Sequence, residues 1–254
     1  PASERKANAR RMSISSLGVN HVTALVPAAG QGRRMGVPTP KQFLTLGGHP
    51  LMVHALQTLQ RTHNVDAIIL AVPESVRDWV LHDIVERHGL TKVRQVIAGG
   101  TERQDSVRLA LAATTDDCEV VLVHDAVRPF VTSAMVISAI EQARRHGAAI
   151  VAIPMRDTVK YVGSEGFIEY TIDRRPLWLA QTPQAFQRAL LMEGHARALA
   201  EGFTATDDAQ LIERLGHRLA IVEGSSENLK ITRPEDLAMG ESILASRQDV
   251  QHLN

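Results

Sequence analysis

Short apolar runs alternate along the chain with longer segments whose apolar residues recur at helical spacing. This alternation predicts βαβ units and a mainly parallel, twisted, Rossmann-like α/β sheet flanked by helices. The predicted strands are Val22–Val26, Ala67–Val72, Val93–Ile97, Val120–Val123, Ala148–Ile153 and Leu219–Glu223. The predicted helices are Leu51–Arg61, Val76–His88, Asp105–Ala113, Ser133–His146, Arg188–Glu201, Asp207–Leu215 and Pro234–Arg247.

Two of the helix starts have the spacing of a capping box. In a capping box, the side chain of the first residue and a carboxylate three residues later each accept a hydrogen bond from a free backbone N–H. Ser75 with Asp78 and Thr232 with Glu235 have this spacing. We therefore expect these side chains to cap the helices that follow.

One segment breaks the alternation of strands and helices. Asp157–Val162 and Phe167–Ile172 are both short β-type runs, and turn residues occupy positions 163–166 between them. The pattern predicts a β-hairpin arm at about residues 155–177, inserted into one domain that spans residues 21–254. An isolated hairpin is only marginally stable in water. This one therefore needs a partner surface, either its own domain or a second subunit.

The charge balance excludes several classes of protein. The chain has 28 Lys and Arg residues against 28 Asp and Glu residues, so its formal charge is zero. Proteins that wrap duplex nucleic acid or bind membrane surfaces normally carry a basic excess, and we expect neither partner here. At 44% hydrophobic and 22% charged residues, the composition is that of an ordinary globular protein. Because the chain has no excess of positive charge, any anion that it binds must be small.

The single cysteine, Cys118, excludes an internal disulfide and a thiolate metal cluster. One thiol fits a reducing compartment, so we expect a cytoplasmic protein. No apolar run approaches the roughly 18 residues that a membrane span requires. Residues 1–20 are polar and contain four basic residues, and we interpret them as a flexible tail or a cloning remnant. A nucleic-acid-binding arm is the alternative, which four basic residues support poorly.

A loop of small residues follows the first predicted strand. It contains Ala28, Ala29, Gly30 and Gly32, whose backbone N–H groups can approach an anion closely. Ligands of open α/β sheets bind beyond the carboxyl ends of the strands, so a nucleoside triphosphate is the expected guest. The dinucleotide pattern G-x-G-x-x-G fails because its third glycine position is Met35, and no G-x-x-x-x-G-K-[ST] loop occurs. A tight turn that binds no ligand remains the alternative.

Two cations follow this loop closely. Arg34 and Lys41 flank a segment that Pro38 and Pro40 stiffen, so both charges are held near the glycine turn. The alternative is that they are solvated surface charges. The position of these two cations beside the small-residue loop favours a phosphate site.

An ordered set of motifs resembles the cytidylyltransferases that act on 2-C-methyl-D-erythritol 4-phosphate. The resemblance starts at Val22 and covers about 220 residues. Its motifs are Pro27-Ala28-Ala29-Gly30-x-Gly32-x-Arg34-Met35, Pro40-Lys41-Gln42, Ala98-Gly99-Gly100-Thr101-Glu102-Arg103-Gln104-Asp105-Ser106-Val107, His124-Asp125-Ala126-x-Arg128-Pro129, Arg156-Asp157-Thr158-x-Lys160, Thr171-x-Asp173-Arg174, Leu177-Trp178-x-x-Gln181-Thr182-Pro183-Gln184, Thr206-Asp207-Asp208 and Asn228-Leu229-Lys230-Ile231-Thr232-x-Pro234-Glu235-Asp236.

The resemblance implies transfer of a cytidylyl group in non-mevalonate isoprenoid precursor biosynthesis. A phosphate oxygen of 2-C-methyl-D-erythritol 4-phosphate would attack the α-phosphorus of CTP, giving 4-diphosphocytidyl-2-C-methyl-D-erythritol and pyrophosphate. A phosphate monoester has a second pKa of about 6, so the reaction needs no side-chain nucleophile. Fixed cations and Mg²⁺, bound mainly through the CTP phosphates, would stabilise the developing charge. The histidines lack metal-ligand spacing, so we predict no protein ligand for the metal.

The resemblance also assigns roles to individual residues. The catalytic cations would be Arg34 and Lys41 around the triphosphate and Arg174 and Lys230 around the methylerythritol phosphate. The nucleotide would also contact Ala28, Ala29, Gly30, Gly32, Gly100, Thr101 and Ser106, and the second substrate would also contact Asp125, Arg128, Thr158 and Thr182. From the residues alone, Asp125 could instead cap the turn after its strand.

The arm carries Arg174 just past its second strand, and in the family this arm crosses to a neighbouring subunit. The resemblance therefore implies a homodimer with shared active sites. Arg175-Pro176 stands where the family usually has a smaller or polar pair, so a second guanidinium lies beside Arg174.

Three other functions stay open at this point. A cytidylyltransferase for ribitol 5-phosphate shares the loop and the fold, but residues 171–184 resemble the methylerythritol enzyme more closely. A nicotinamide-dependent reductase is disfavoured by Met35 and by the lack of an acidic residue after the second strand. A catalytically silent nucleotide-binding regulator is disfavoured because all four expected catalytic cations are retained.

Overall fold

The computed structural model describes residues 21–30 and 40–252. The tail expected at residues 1–20 lies outside this range, and so do Gly32 and Arg34. The strands are β1 (His21–Pro27), β2 (Thr45–Leu46), β3 (His49–Pro50), β4 (Ala67–Val72), β5 (Val93–Ala98), β6 (Cys118–Val123), β7 (Ala148–Pro154), β8 (Val159–Val162), β9 (Ile168–Ile172), β10 (Trp178–Gln187) and β11 (Ala220–Glu223). The α-helices are α1 (Leu51–Arg61), α2 (Arg77–Trp79), α3 (Arg103–Ala112), α4 (Ser133–His146), α5 (Arg188–Glu201), α6 (Asp208–Arg214) and α7 (Pro234–His252).

Seven strands form the main sheet, in the order β11-β7-β10-β6-β1-β4-β5. β1 pairs in parallel with β4 and β6, β4 pairs in parallel with β5, and β11 pairs in parallel with β7. β10 is antiparallel to both of its neighbours, β6 and β7. The six predicted strands are all present, and the prediction of a mainly parallel α/β sheet is confirmed.

β10 is the strand of the main sheet that the hydrophobic pattern did not predict. Its residues 181–184 are Gln-Thr-Pro-Gln, which lack the apolar alternation of a strand and include a proline that cannot donate to the ladder. The pairing of β10 with β7 shifts register between Ala180 and Gln184. The neighbouring side chains of Gln181 and Thr182 are buried and bind polar groups of other loops, so tertiary contacts hold the segment in the sheet.

Helices cover both faces of the sheet because successive strand residues point to opposite sides. In β1, Ala24 and Val26 pack with residues of α1 and α4, whereas Leu25 packs with residues of α3, α5 and α6. All three are fully buried, and every residue of β4 is buried as well. Each large apolar side chain buried in this way contributes about 1.5–3 kcal/mol, so the two layers fix the strand ends that carry the loops.

The helix predicted at Val76–His88 is present, as the short helix α2 and a π-helical segment that follows it directly. A 3₁₀ turn at Glu74–Val76 precedes α2, and Val80–Glu86 continues as a π-helix. The backbone N–H of Val76 bonds to the carbonyl of Pro73, so Ser75 already lies inside the first turn and cannot cap it. The capping box expected for Ser75 is therefore absent.

The start of α7 is capped by a different carboxylate from the one expected. Asp236 Oδ2 accepts hydrogen bonds from the backbone N–H groups of Thr232 and Arg233 and from the Thr232 hydroxyl, at 2.8–2.9 Å. Glu235 is one position too early for this geometry, so the prediction of Glu235 as the partner was wrong. A capping box is present at the start of α3. There, the Asp105 carboxylate accepts a hydrogen bond from the backbone N–H of the N-cap residue Glu102 at 3.4 Å.

The hairpin predicted in the middle of the chain is present as the antiparallel pair β8–β9. Tyr161 and Tyr170 stack across it, with ring centroids 4.8 Å apart. Phe167 and Ile168 at its tip are 74% and 63% exposed. The hairpin therefore carries an apolar surface that residues 21–30 and 40–252 leave uncovered.

Within residues 21–30 and 40–252, no helix is both long and apolar enough to cross a membrane.

Candidate active site

A cavity opens beyond the carboxyl ends of the parallel strands β1, β5 and β6, where ligands of open α/β sheets bind. Nine of the predicted site residues meet there. They are Ala28, Ala29, Gly30, Lys41, Gly100, Thr101, Ser106, Asp125 and Lys230. Residues from five separate stretches of the chain are thus brought together at one edge of the sheet.

Gln42 holds the small-residue loop against the segment that carries Lys41. Its side-chain amide donates a hydrogen bond to the carbonyl oxygen of Ala28 at 2.6 Å, and the side chain is 2% exposed. The backbone N–H of Ala28 donates to Ala71 of β4 at 2.7 Å. The start of the loop is therefore fixed from both sides, which places Lys41 beside it.

Packing requires the two glycines after β5. A Cβ atom on Gly99 would overlap the side chains of Ala29 and Ser106, and one on Gly100 would overlap Asp105. The hydroxyl of Ser106 accepts a hydrogen bond from the backbone N–H of Gly100 at 3.1 Å and is buried. Ser106 thus lines the cavity and holds the backbone of Gly100 in its wall.

Three charged side chains that line the cavity form ion pairs with one another. Arg103 Nε lies 2.8 Å from Asp125 Oδ1, and Lys230 Nζ lies 2.6 Å from Asp125 Oδ2. Burial alone would raise the pKa of Asp125, but the two cations outweigh it and hold that pKa well below its ordinary value. The Asp125 carboxylate is therefore ionised and faces the cavity, and it does not cap the following turn.

A second cavity adjoins the first and shares part of its wall. Arg103, Asp125 and Lys230 line both cavities, and Arg128 and Thr182 line the second. Arg128 Nη1 donates to the carbonyl of Asn228 at 2.7 Å, which ties it to the loop that leads to Lys230. Two binding spaces thus meet at one set of charged side chains.

Thr182 links this second cavity to a buried histidine. The hydroxyl of Thr182 accepts from the backbone N–H of Asp125 and lies 3.1 Å from His124 Nδ1, while His124 Nε2 lies 3.1 Å from the carbonyl of Arg128. A carbonyl only accepts, so Nε2 carries the proton and Nδ1 accepts from Thr182. Burial lowers the pKa of His124 to about 4, which keeps the ring neutral.

Two predicted residues lie away from these cavities. Arg174 and Thr158 are exposed at the base of the hairpin, where Arg174 donates to the carbonyl of Arg156. The neighbouring Arg175 is paired with Asp173 at 2.8 Å. This second guanidinium is therefore bound within its own loop. Gly32 and Arg34 lie outside the described residues, so their placement stays a prediction.

The resemblance assigns no role to Arg103 and Gln42, although both lie within its motifs. Arg103 contacts carboxylates 22 and 105 positions away, at Asp125 and Asp208. No local pattern announces such partners. The available signal for both residues was their place in motifs whose other members were assigned to the site.

A mainly parallel α/β sheet with a small-residue loop and fixed cations at its strand ends is typical of enzymes that bind nucleotides. The sequence profile of 2-C-methyl-D-erythritol 4-phosphate cytidylyltransferase matches residues 22–246. The chain belongs to this family of nucleotidyltransferases, which catalyse the reaction of CTP with 2-C-methyl-D-erythritol 4-phosphate.

Relatives and solved structures agree with this membership. A 2-C-methyl-D-erythritol 4-phosphate cytidylyltransferase of Syntrophus aciditrophicus is 47% identical over 227 residues, covering 89% of this chain and 97% of the relative. One from Geobacter metallireducens is 45% identical, covering 89% and 98%. The crystal structure of the enzyme from Thermus thermophilus superposes with a TM-score of 0.73 at 35% identity, covering 88% of this chain and 98% of that one. The 4-diphosphocytidyl-2C-methyl-D-erythritol synthase of Anaerococcus prevotii gives a TM-score of 0.78 at 30% identity, covering 89% and 99%.

Proposed function

We propose that this chain transfers a cytidylyl group from CTP to 2-C-methyl-D-erythritol 4-phosphate in the two adjoining cavities, releasing pyrophosphate. The observation that carries the proposal is the shared wall of Arg103, Asp125 and Lys230. A transferase for two phosphorylated molecules needs two spaces that meet where the new bond forms. Fixed cations at that meeting point suit the charge that the reaction develops.

The nucleotide belongs in the cavity below the small-residue loop. Ala28, Ala29 and Gly30 offer backbone N–H groups to the triphosphate, and Lys41 lies beside them. Gly100, Thr101 and Ser106 form the wall assigned to the base and ribose. A slot closed by tightly packed glycines suits a pyrimidine better than a larger purine. We propose that Gly32 and Arg34 also contact the triphosphate, because they follow Gly30 closely in the same loop.

The methylerythritol phosphate belongs in the second cavity. Arg128 and Lys230 supply positive charge there, and Asp125 supplies a carboxylate for a hydroxyl of the substrate. The hydroxyl of Thr182 is bonded to Asp125 and His124, so Thr182 contributes by holding the wall in place. Arg174 and Thr158 reach this substrate in the proposal only from the hairpin of a second subunit.

The reaction is an in-line displacement at the α-phosphorus of CTP. A phosphate oxygen of the acceptor forms the new P–O bond, and the bond to the β-phosphate breaks to release pyrophosphate. With a second pKa of about 6, the acceptor is already ionised near neutrality, so the side chains have to hold and stabilise charge. Lys41 and Arg34 would stabilise the triphosphate, and Lys230 would bring the acceptor phosphate to the α-phosphorus.

A magnesium ion held mainly by the CTP phosphates fits these residues. The carboxylates that line the nucleotide cavity are Glu102 and Asp125, and Asp125 is already paired with two cations. Among residues 21–30 and 40–252, no group of three His, Cys, Asp or Glu side chains is arranged to hold a metal. When bound, Mg²⁺ would neutralise phosphate charge and orient the triphosphate.

The hairpin is proposed as a dimerisation arm. Its exposed aromatic and aliphatic side chains need a partner surface, and Arg174 at its base lies outside both cavities of its own chain. A homodimer in which each arm completes the other subunit's site satisfies both observations. We expect the dimer to act in the cytoplasm, without nucleic acid or a membrane as a partner.

Pyrophosphate release from the purified protein tests the proposal. CTP, UTP, ATP and GTP are each offered with 2-C-methyl-D-erythritol 4-phosphate or with ribitol 5-phosphate, and a Lys41→Met variant is the matched control. Release with CTP and the methylerythritol phosphate, lost in the control, is expected. Release only with ribitol phosphate would overturn the assigned acceptor, and no release with any pair would overturn the proposed activity.

Mixing two inactive variants tests the shared site. A Lys41→Met protein and an Arg174→Met protein are each expected to be nearly inactive, and a heterodimer contains one site that lacks neither residue. Activity is therefore expected to return after subunit exchange, which is followed by two affinity tags. Exchange without recovered activity would show that each site is built from one chain.

A further inference from the structure

A buried carboxylate behind the active site has no role in the reaction as described so far. Asp208 is the first residue of α6 and is 1% exposed. Its Oδ2 atom lies 2.7 Å from Nη1 of Arg103, and its Oδ1 atom lies 3.5 Å from Nε2 of His195, which is 2% exposed. Asp208 lines neither cavity. It therefore acts on substrates only through another residue.

Arg103 divides its guanidinium between two carboxylates. Nε donates to Asp125 in the cavity wall at 2.8 Å, and Nη1 donates to Asp208 behind it at 2.7 Å. Burial alone would lower the pKa of Arg103, but the two carboxylates outweigh it and raise that pKa. Each carboxylate fixes one edge of a planar, rigid group, so the plane of Arg103 is set by both together.

A second pair of contacts fixes the distance between Arg103 and Asp208. Gln104 donates to the carbonyl of Phe203 at 3.1 Å and accepts from the backbone N–H of Ala205 at 2.7 Å. These bonds tie the start of α3 to the loop that leads into α6. Helices α3 and α6 are thus held so that the Asp208 carboxylate faces Arg103.

We propose that Asp208 is a positioning residue for cytidylyl transfer, which holds Arg103 and, through Arg103, sets the carboxylate of Asp125 and the ammonium of Lys230. The proposal rests on the proposed function of the two cavities. Without the charge of Asp208, Arg103 is drawn to Asp125 alone, and its guanidinium can rotate to place a second N–H on that carboxylate. That movement displaces the group that Lys230 also contacts, and misplacement of a reacting group by about 1 Å can cost 10²-fold in rate.

Steady-state kinetics of Asp208→Asn test the proposal, with pyrophosphate release measured against each substrate in turn. We expect kcat to fall about 10- to 100-fold and the KM for CTP to change less than about threefold. Asp208→Glu keeps the charge but moves the carboxylate by one methylene, and we expect a smaller fall in kcat. Asp66→Asn is the matched control, because Asp66 accepts a backbone hydrogen bond at the opposite end of the sheet.

A double-mutant cycle separates positioning from a loss of stability. Because Asp208 acts through Arg103, adding Asp208→Asn to an Arg103→Gln protein is expected to change kcat by less than about twofold. An equal fall in kcat in both backgrounds would overturn the proposal. So would wild-type kinetics in Asp208→Asn, or in Asp208→Ser if the asparagine variant does not fold. Turnover by the wild-type protein in the same assay tests the proposed function independently of this result.

Discussion

Lys230 Nζ lies 2.6 Å from Oδ2 of Asp125, whose other carboxylate oxygen accepts from Arg103. Two cations that would otherwise repel each other are held on one carboxylate, at the wall shared by two cavities. This pairing fixes Lys230 before any phosphate arrives. In the proposed function, an incoming phosphate group would compete with Asp125 for the ammonium of Lys230.

Replacing Lys230 with methionine is expected to lower kcat with CTP and methylerythritol phosphate by about 10²-fold or more, the scale for one electrostatic donor. The KM for the methylerythritol phosphate is expected to rise more than the KM for CTP. Lys92→Met is the control, because Lys92 donates to the carbonyl of Thr62 away from the site. Equal losses in both variants, measured by pyrophosphate release, would remove Lys230 from the reaction.

Replacing Gln42 with glutamate is expected to raise the KM for CTP about tenfold. The change removes the donor to Ala28 and sets a carboxylate against a carbonyl oxygen. A buried group left without its partner costs about 1–3 kcal/mol, so the free energy of unfolding is expected to fall by that amount. Urea unfolding and CTP titration measure the two effects. An unchanged KM for CTP would show that Gln42 does not hold the nucleotide loop.

Acidification below about pH 6.5 is expected to destabilise the protein through His124. The folded-state pKa of His124 is about 4 and the unfolded value is 6.5, so the unfolded chain binds the extra proton first. The contribution is fully present above about pH 6.5 and is lost as pH falls toward 4. The loss amounts to roughly 3 kcal/mol at 1.36 kcal/mol per pKa unit.

Urea unfolding of the wild type at several values between about pH 7.5 and 5 measures this slope. His124→Gln is expected to flatten it, whereas His217→Gln is the control because His217 is exposed. The lowered pKa of Asp125 affects stability only when the pH falls below the ordinary range of a carboxyl pKa. Its effect is therefore separate from that of His124. A slope that is as steep in His124→Gln as in the wild type would assign the pH dependence to another group.

Charging the tip of the hairpin is expected to break the proposed dimer. A Phe167→Glu, Ile168→Glu double variant places two carboxylates on side chains that are 74% and 63% exposed in one chain. Burying such charges at an interface is costly, so sedimentation is expected to give a monomer whose activity is strongly reduced. Leu199→Glu, on the exposed face of α5, is the control. A fully active monomer would refute the shared site.

The parts of the site that were predictable from sequence depend on local order. Ala28–Gly30 directly follow an apolar strand, and Asp125 closely follows another, so the rule for strand ends places them at one edge of the sheet. Lys41 and Lys230 were assigned by their motifs, and both line the cavity. For these residues, the strand or motif that predicts a place in the site lies within a few positions in the sequence.

The remaining features depend on contacts between distant parts of the chain. β10 lacks an apolar alternation and lies in the sheet because β6 and β7 supply its partners. Arg103 is fixed by carboxylates 22 and 105 positions away. The Ser75 capping box failed because a turn that starts at Pro73 competes for the same residues. Sequence spacing alone does not decide such competitions.

The antiparallel strand β10 also sets the order in which the protein can be completed on the ribosome. β1, β4, β5 and β6 all lie within residues 21–123 and can pair as soon as they emerge. The free edge of β6, with Val120–Val123 fully buried in the finished sheet, has to wait until residues 178–187 have been translated. Until then the nascent chain exposes an apolar edge strand, which is an aggregation hazard. A pause in translation between β6 and β10 would therefore make the unfinished protein depend on chaperones.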